Sequence, residues 1–104
     1  MTTLSTHVLD AARGVPRAGL EVVLETVPEV SGGGATELER VVTDADGRAR
    51  FTTVLDGGHH ALTFATRTAF HPVVRVDFTV DAAEPHHHVA LLLSPFAYTT
   101  YKGS

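Results

Sequence analysis

Histidine is the residue type through which this chain could do chemistry, because the 104 residues include seven histidines and no cysteine. The densest group is the run His86-His87-His88, and His7 lies near the amino terminus. A neutral imidazole can take a proton from water near neutral pH, and it can also bind Zn²⁺ or Cu²⁺. The histidines therefore indicate either general-base catalysis or a metal site, although a single histidine on a strand is more often structural.

Alternation along the strand decides which of these side chains share a face. Successive side chains of a strand point to opposite faces, so His86 and His88 lie together and His87 lies on the other face. The first pair could chelate a metal with His7 as a third ligand. No cysteine is available, and no carboxylate stands at a spacing that would support this metal site.

Two further groups of residues could contribute. Arg48 follows the turn signal Asp46-Gly47 and would place a permanent positive charge at the shoulder of a hairpin. An Arg at such a position is usually solvated. The pair His59-His60 follows two glycines, and we expect it to face water.

Composition excludes several classes of protein. The net charge is −4 and there is no run of Lys or Arg, so nucleic acid is not an expected partner. Without cysteine there is neither a disulfide framework nor a thiolate nucleophile. The first ten residues lack the pattern of a signal peptide, and no stretch approaches the roughly 20 apolar residues of a membrane span. We therefore expect one cytoplasmic domain over residues 1–104 that does not contact a membrane.

Short alternating segments separated by turn signals recur along the chain and predict an all-β fold. Eight such segments at this spacing are typical of a sandwich of two sheets. Thr66 to Phe70 is the one place where a helical turn is expected. The predicted strands are Leu4–Asp10, Leu20–Thr26, Leu38–Thr43, Arg48–Val54, His60–Ala65, Val73–Val80, His86–Leu93 and Tyr98–Tyr101.

Three blocks of residues go further than this pattern. The segment Leu4-Ser5-Thr6-His7-Val8-Leu9-Asp10, followed by Gly14-Val15-Pro16, resembles the opening of the 5-hydroxyisourate hydrolase family of transthyretin-like proteins. Thr43-Asp44-Ala45-Asp46-Gly47-Arg48 is similar to that family's Thr-x-x-Asp-Gly-Arg element. The segment from His86 to Ser104 resembles its C-terminal signature, which ends in Tyr-Arg-Gly-Ser. The resemblance covers nearly the whole chain.

The resemblance implies a transthyretin-like two-sheet β-sandwich of about eight short strands with at most one short helix. It implies a homotetramer, built as a dimer of dimers, with active sites in a channel between the dimers. The implied reaction is the hydrolytic ring opening of 5-hydroxyisourate to 2-oxo-4-hydroxy-4-carboxy-5-ureidoimidazoline, a step of urate degradation. No cofactor and no metal are expected.

The resemblance also implies site residues. His7, Arg48 and His88 match the family's catalytic positions, and Tyr101 and Ser104 join them as substrate-binding candidates. Either His7 or His88 would act as general base on the attacking water, and the sequence leaves that choice open. Arg48 would hold the anionic substrate and stabilise developing negative charge.

Four other residues near these positions are expected to have lesser roles. His86 and His87 are expected to support the site rather than to act. Ala90 stands where the family usually has Pro, and Lys102 stands where it usually has Arg. We expect Ala90 to change only local pairing and Lys102 to affect the anchoring of the chain end.

Three alternatives remain at this point. A transthyretin-type carrier of small ligands has the same fold, but relative to the carriers the chain has His7 instead of Lys, Arg48 instead of Glu and His88 instead of Thr. The histidines could instead form a zinc or copper site. The third alternative is a structural β-sandwich with incidental histidines.

Overall fold

A computed structural model describes residues 1–29 and 33–103, and these residues form nine strands and no helix. None of the described segments is therefore a helix able to cross a membrane. The strands are β1 (Thr3–Asp10), β2 (Val15–Pro16), β3 (Glu21–Thr26), β4 (Thr36–Val42), β5 (Arg48–Arg50), β6 (Gly58–Phe64), β7 (Val74–Val80), β8 (His86–Leu93) and β9 (Tyr98–Gly103).

The strands form two sheets, which confirms the predicted all-β sandwich. The first sheet has the order β2-β1-β8-β9, with β5 also paired to β1. The second sheet has the order β4-β3-β6-β7. Strands β1 and β8 run parallel, while the other pairs are antiparallel.

The core lies between the sheets because one face of each central strand is apolar. Strand β1 contributes Leu4 and Val8, and Thr6 between them satisfies its buried hydroxyl by donating to the carbonyl oxygen of Val89 at 2.7 Å. The largest fully buried apolar side chains are Phe64, Leu4, Leu24, Leu62, Leu91, Val8, Val22 and Val74. This packing fixes which side chains of β1 and β8 must point outward.

Strand register places the outward side chains in rows. His7 of β1 pairs with Arg48 of β5 on one side and with Ala90 of β8 on the other, and Ala90 in turn pairs with Tyr101 of β9. One row further, Ser5 lies between Arg50 and His88. Paired residues of neighbouring strands point to the same face, so both rows lie on the outer face of the first sheet.

Three local predictions differ from the structure. The turn after β1 contains an extra short strand, β2, and the predicted fourth strand ends at Arg50 instead of Val54. It ends early because the backbone N–H groups of Thr52 and Thr53 donate to the carboxylate of Glu39. The expected helical turn from Thr66 to Phe70 is absent because Arg67 has a φ of 53°, a left-handed conformation that interrupts a right-handed helix.

The prediction for the pair His59-His60 is half wrong. His59 is exposed, and its Nε2 lies 2.8 Å from a carboxylate oxygen of Asp77. His60 is only 6% exposed and points into the sandwich in line with Leu62 and Phe64. Alternation along β6 therefore decides its position, and the two preceding glycines do not.

Candidate active site

An open groove of about 490 Å³ lies on the outer face of the first sheet. Its polar lining comes from β1, β5 and β8, the strands that the register aligns, and from the turn before β5. The polar side chains along it are Ser5, Asp44, Arg48, Arg50, His86 and His88. The His7 ring lies beside the groove, with its centroid 6.5 Å from that of His88. Two predicted catalytic residues therefore line the groove and the third adjoins it.

The hairpin before β5 positions Arg48 and His7 together. One carboxylate oxygen of Asp44 accepts from the backbone N–H groups of Asp46 and Arg48, both at 2.9 Å. Gly47 has a φ of 75°, and its carbonyl oxygen accepts from the backbone N–H of Val8 at 2.8 Å. The turn is thereby attached to β1. His7 Nε2 lies 2.9 Å from the carbonyl oxygen of Asp46, so this nitrogen carries the proton and donates it.

Only glycine fits at the fourth position of this turn. A Cβ added to Gly47 would lie 2.4 Å from the carbonyl oxygen of Val8, and φ is in the region that L side chains rarely adopt. The structure thus explains the Asp-Gly-Arg sequence. Gly47 allows the turn to pack against β1, and Arg48, the next residue, lines the groove.

The histidines of β8 are held by hydroxyl groups of β1. The Ser5 hydroxyl oxygen lies 2.7 Å from His88 Nδ1 and 2.9 Å from His86 Nε2. The Thr3 hydroxyl oxygen lies 2.6 Å from His86 Nδ1. His87 points the other way and is buried, as alternation predicted.

The electrostatics of the groove favour a neutral His88. Burial lowers the pKa of this imidazole below its ordinary value of 6.5, since a charged ring loses its hydration there. Three positively charged or titratable neighbours lower the pKa further, in the order His7, His86 and Arg48. At neutral pH the side chain is therefore available to accept a proton.

The last strand lies next to β8 and contributes none of the described lining of the groove. Tyr101 lies in the same row as His7 and is half exposed. Gly103 pairs with His88, and a Cβ built on it would lie 2.6 Å from His88 Cδ2, so the ring occupies the space of the missing side chain. Lys102 points away and donates to the Glu84 carboxylate at 3.0 Å, as expected of a residue that anchors the chain end. Ser104 lies outside the described residues.

Sequence reasoning gave no site role to three polar residues of this groove, Asp44 of the turn and the two strand residues Ser5 and Arg50. The signal for both was alternation: Ser5 shares its face with His7, and Arg50 shares its face with Arg48 across Ala49. Within the part of the chain that the structure describes, no group of three or more His, Asp or Glu side chains is arranged to hold a metal ion. His86 Nε2 and His88 Nδ1 instead both face the Ser5 hydroxyl.

Comparisons with known proteins agree on one family. The sequence model of the HIUase/Transthyretin family matches residues 4–103. The chain is 39% identical to a 5-hydroxyisourate hydrolase of Caulobacter vibrioides, and the alignment covers 100% of both proteins. The solved 5-hydroxyisourate hydrolase of Klebsiella pneumoniae superposes with a TM-score of 0.82 at 32% identity, covering 100% of both chains.

The same fold also occurs in a protein that was solved with bound thyroxine. Sea bream transthyretin, solved in complex with thyroxine, superposes with a TM-score of 0.80 at 30% identity, covering 96% of this chain and 93% of its own. Because the backbone is common to both kinds of protein, the residues that line the groove carry the functional argument.

Proposed function

Because the chain belongs to the HIUase/transthyretin family, we propose that it is a 5-hydroxyisourate hydrolase whose active site is the groove beside His7, Arg48 and His88. The observation that carries this proposal is the position of these three side chains, which come from three strands and meet on one face of one sheet. A site that only binds a ligand has no need for a neutral base such as His88 next to the permanent positive charge of Arg48.

In the proposed reaction His88 is the general base. Its lowered pKa keeps the ring neutral and the ring lines the groove, whereas His7 lies beside the groove and its Nε2 donates to the Asp46 carbonyl. His88 takes a proton from water while the water oxygen bonds to the ring carbonyl carbon of 5-hydroxyisourate. The tetrahedral oxyanion then collapses, the carbon–nitrogen bond breaks, and the departing nitrogen takes up the proton that His88 removed from water. The product, 2-oxo-4-hydroxy-4-carboxy-5-ureidoimidazoline, carries the new carboxyl group.

Arginine supplies the positive charge that this reaction needs. Arg48 cannot lose its proton, and its planar guanidinium can bind an anionic, urate-like ring and the developing oxyanion. Arg50 lies one row away on the same strand, and it extends the cationic lining of the groove. His7 would then orient the substrate or the water, and no cofactor takes part in these steps.

Four further parts of the proposal rest on the resemblance and on composition. Tyr101 and Ser104 would donate hydrogen bonds to substrate or water. Residues 1–104 would form one hydrolase domain, which assembles as a homotetramer, a dimer of dimers. The absence of cysteine fits a protein of the reducing cytoplasm.

A kinetic assay tests the function. Fresh 5-hydroxyisourate, made from urate with urate oxidase, is mixed with the protein, and the loss of absorbance is compared with spontaneous decay. We expect decay far above background that survives a chelator. His88→Ala and Arg48→Glu should each remove most of it, about 10²–10⁴-fold for the general base. His59→Ala is the matched control, because this exposed histidine lies on the second sheet and should not affect the rate.

Two outcomes would count against the proposal. Decay at the background rate by a folded protein would leave the carrier alternative, which ligand binding would then test. Activity lost to the chelator would indicate a metal-dependent reaction and would remove His88 from the role of base.

A further inference from the structure

A chain of four hydrogen bonds links His88 to the backbone carbonyl of Pro85 at the edge of the groove. The chain runs from His88 Nδ1 to the Ser5 hydroxyl at 2.7 Å, and from there to His86 Nε2 at 2.9 Å. It continues from His86 Nδ1 to the Thr3 hydroxyl at 2.6 Å. The Thr3 hydroxyl finally reaches the carbonyl oxygen of Pro85 at 3.2 Å. The register of the parallel strands β1 and β8 creates this zigzag, because Thr3 pairs with His86 and Ser5 pairs with His88.

With His86 neutral, the contact between Thr3 and Pro85 at the end of the chain favours one direction for every proton in it. A carbonyl oxygen can only accept, so the Thr3 hydroxyl donates to Pro85. A hydroxyl has one proton, and the Thr3 oxygen must therefore accept from His86 Nδ1. A neutral imidazole protonated at Nδ1 is an acceptor at Nε2, so the Ser5 hydroxyl donates to His86. With its single proton used, Ser5 must accept from His88 Nδ1.

The opposite direction leaves one contact without a proton. If Ser5 donated to His88, His86 would donate to Ser5 and Thr3 would donate to His86. The Thr3 and Pro85 oxygens, 3.2 Å apart, would then face each other with no hydrogen between them. The first arrangement satisfies all four contacts, and the second satisfies three.

We infer that Ser5 is a positioning residue that holds His88 in the tautomer protonated at Nδ1, so that Nε2 is left bare as the base. The role of Nε2 as base rests on the proposed function, whereas the position of the protons does not. Across residues 1–29 and 33–103, no side chain or backbone group hydrogen-bonds to His88 Nε2, and the ring lines the groove. Water in the groove can therefore reach this nitrogen.

The surroundings of His88 agree with an uncharged ring in this arrangement. Strand β1 contributes His7, strand β8 contributes His86, and strand β5 contributes Arg48 and Arg50. Asp44 is the acidic residue in the described lining of the groove, and its carboxylate accepts two hydrogen bonds, both from the hairpin backbone. The Ser5 hydroxyl, rather than a carboxylate, therefore orients the histidine. A neutral partner leaves the pKa of the base low, whereas a carboxylate would raise it.

The tautomer can be measured without substrate. Long-range ¹H–¹⁵N correlation spectra of the free protein distinguish a protonated from a bare ring nitrogen. Above the pKa of His88 we expect Nδ1 to be protonated and Nε2 to be bare. In Ser5→Ala the ring should populate both tautomers, and Ser5→Thr should restore the first because it returns the hydroxyl. A bare Nδ1 in the unmodified protein would overturn the inference.

Kinetics supply the second measurement. Ser5→Ala should lower kcat about 10- to 100-fold, part of the roughly 10²–10⁴-fold that general-base catalysis provides, with little change in KM. Ser5→Thr should recover most of kcat. Thr6→Val is the matched control, because it removes a hydroxyl of the same strand that binds the backbone of β8 rather than a histidine. It should lower stability and leave kcat unchanged.

The outcomes separate this inference from the proposed function. If the protein shows the expected tautomer and no hydrolysis, the function fails and the position of the protons stands. If hydrolysis is fast and Ser5→Ala changes neither the tautomer of His88 nor kcat, the proposed function stands and Ser5 is not a positioning residue.

Discussion

At the scale of single residues, the environment of His88 sets the pH range of the reaction. The ring is partly buried and lies near His7, His86 and Arg48, and all of these lower its pKa below 6.5. A base with a lowered pKa stays neutral as the pH falls through 6.5, and it is lost only when the pH passes the lowered value. We therefore expect the inflection of kcat/KM to lie below pH 6.5, with the rate falling as His88 takes up a proton.

The measurement is the initial rate between about pH 5 and pH 8, corrected for spontaneous decay. The titration of His88, followed by NMR in the same buffers, assigns the inflection. An inflection above 6.5 that follows the His88 signal would contradict both the buried position of the ring and its role as base.

Gly103 limits the site at the same scale. Because a Cβ here would lie 2.6 Å from His88 Cδ2, Gly103→Ala must displace the ring from its hydrogen bond with Ser5. We expect kcat to fall by about tenfold or more, since misplacement by about 1 Å can cost about 10²-fold. Gly34→Ala is the control, because no atom of the described residues lies within 4 Å of a Cβ built at Gly34. Steady-state kinetics of the two variants would decide, and equal rates would show that His88 tolerates the displacement.

At the scale of elements, the hairpin from Asp44 to Arg48 is the part of the site most fully encoded in local sequence. The Asp-Gly turn, the emergence of Arg48 from it, and the faces of β8 all follow from neighbouring residues, and all three were predicted. The position of His60 could also have been predicted, because it continues the inward series of Leu62 and Phe64. The left-handed Arg67 could not, because a non-glycine residue carries no mark of that conformation.

Strand pairing is where sequence reasoning stopped. Ser5 and His88 are 83 residues apart, and their contact depends on β1 and β8 being parallel neighbours in one register. A shift by one residue would turn His88 into the core and would turn Leu91 and Leu93 out of it. The buried side chains Leu4, Val8, Leu91 and Leu93 fix the register collectively. Each candidate residue could therefore be predicted from its own segment of sequence, whereas the chain of hydrogen bonds through Ser5 and Thr3 could not.

The hairpin gives a prediction at this scale. Gly47→Ala should destabilise the protein by more than the about 1–2 kcal/mol of a left-handed alanine, because the added Cβ also collides with the Val8 carbonyl. It should lower kcat/KM as well, because the hairpin carries Arg48 and binds His7. Gly14→Ala is the matched control: its φ is 70°, but its surroundings are open. Urea unfolding and steady-state kinetics of both variants test this, and equal effects would mean that the contact with β1 is unimportant.

At the scale of the whole molecule, a single chain leaves the groove open to water and leaves edge strands of both sheets unpaired. Strand β9 is an edge of the first sheet, and β7 is an edge of the second. A small apolar cavity near these two strands is lined by residues that include Val76, Phe78, His87 and Val89. On the outer face Arg48 is exposed and Tyr101 is 51% exposed, so the groove is open to water. Water weakens the attraction between a guanidinium and an anion. Assembly of further copies over this face would exclude that water.

The proposed tetramer therefore predicts that activity depends on protein concentration. If the active sites lie in a channel between dimers, dissociation into dimers removes the wall opposite the groove and weakens the effect of Arg48 on substrate and oxyanion. Specific activity should stay constant while the tetramer persists and fall in proportion to the tetramer fraction on dilution. Light scattering or native mass spectrometry reports that fraction in the assay buffer. Constant activity per chain through the dissociation would show that one chain holds a complete site, and the channel would then have no part in catalysis.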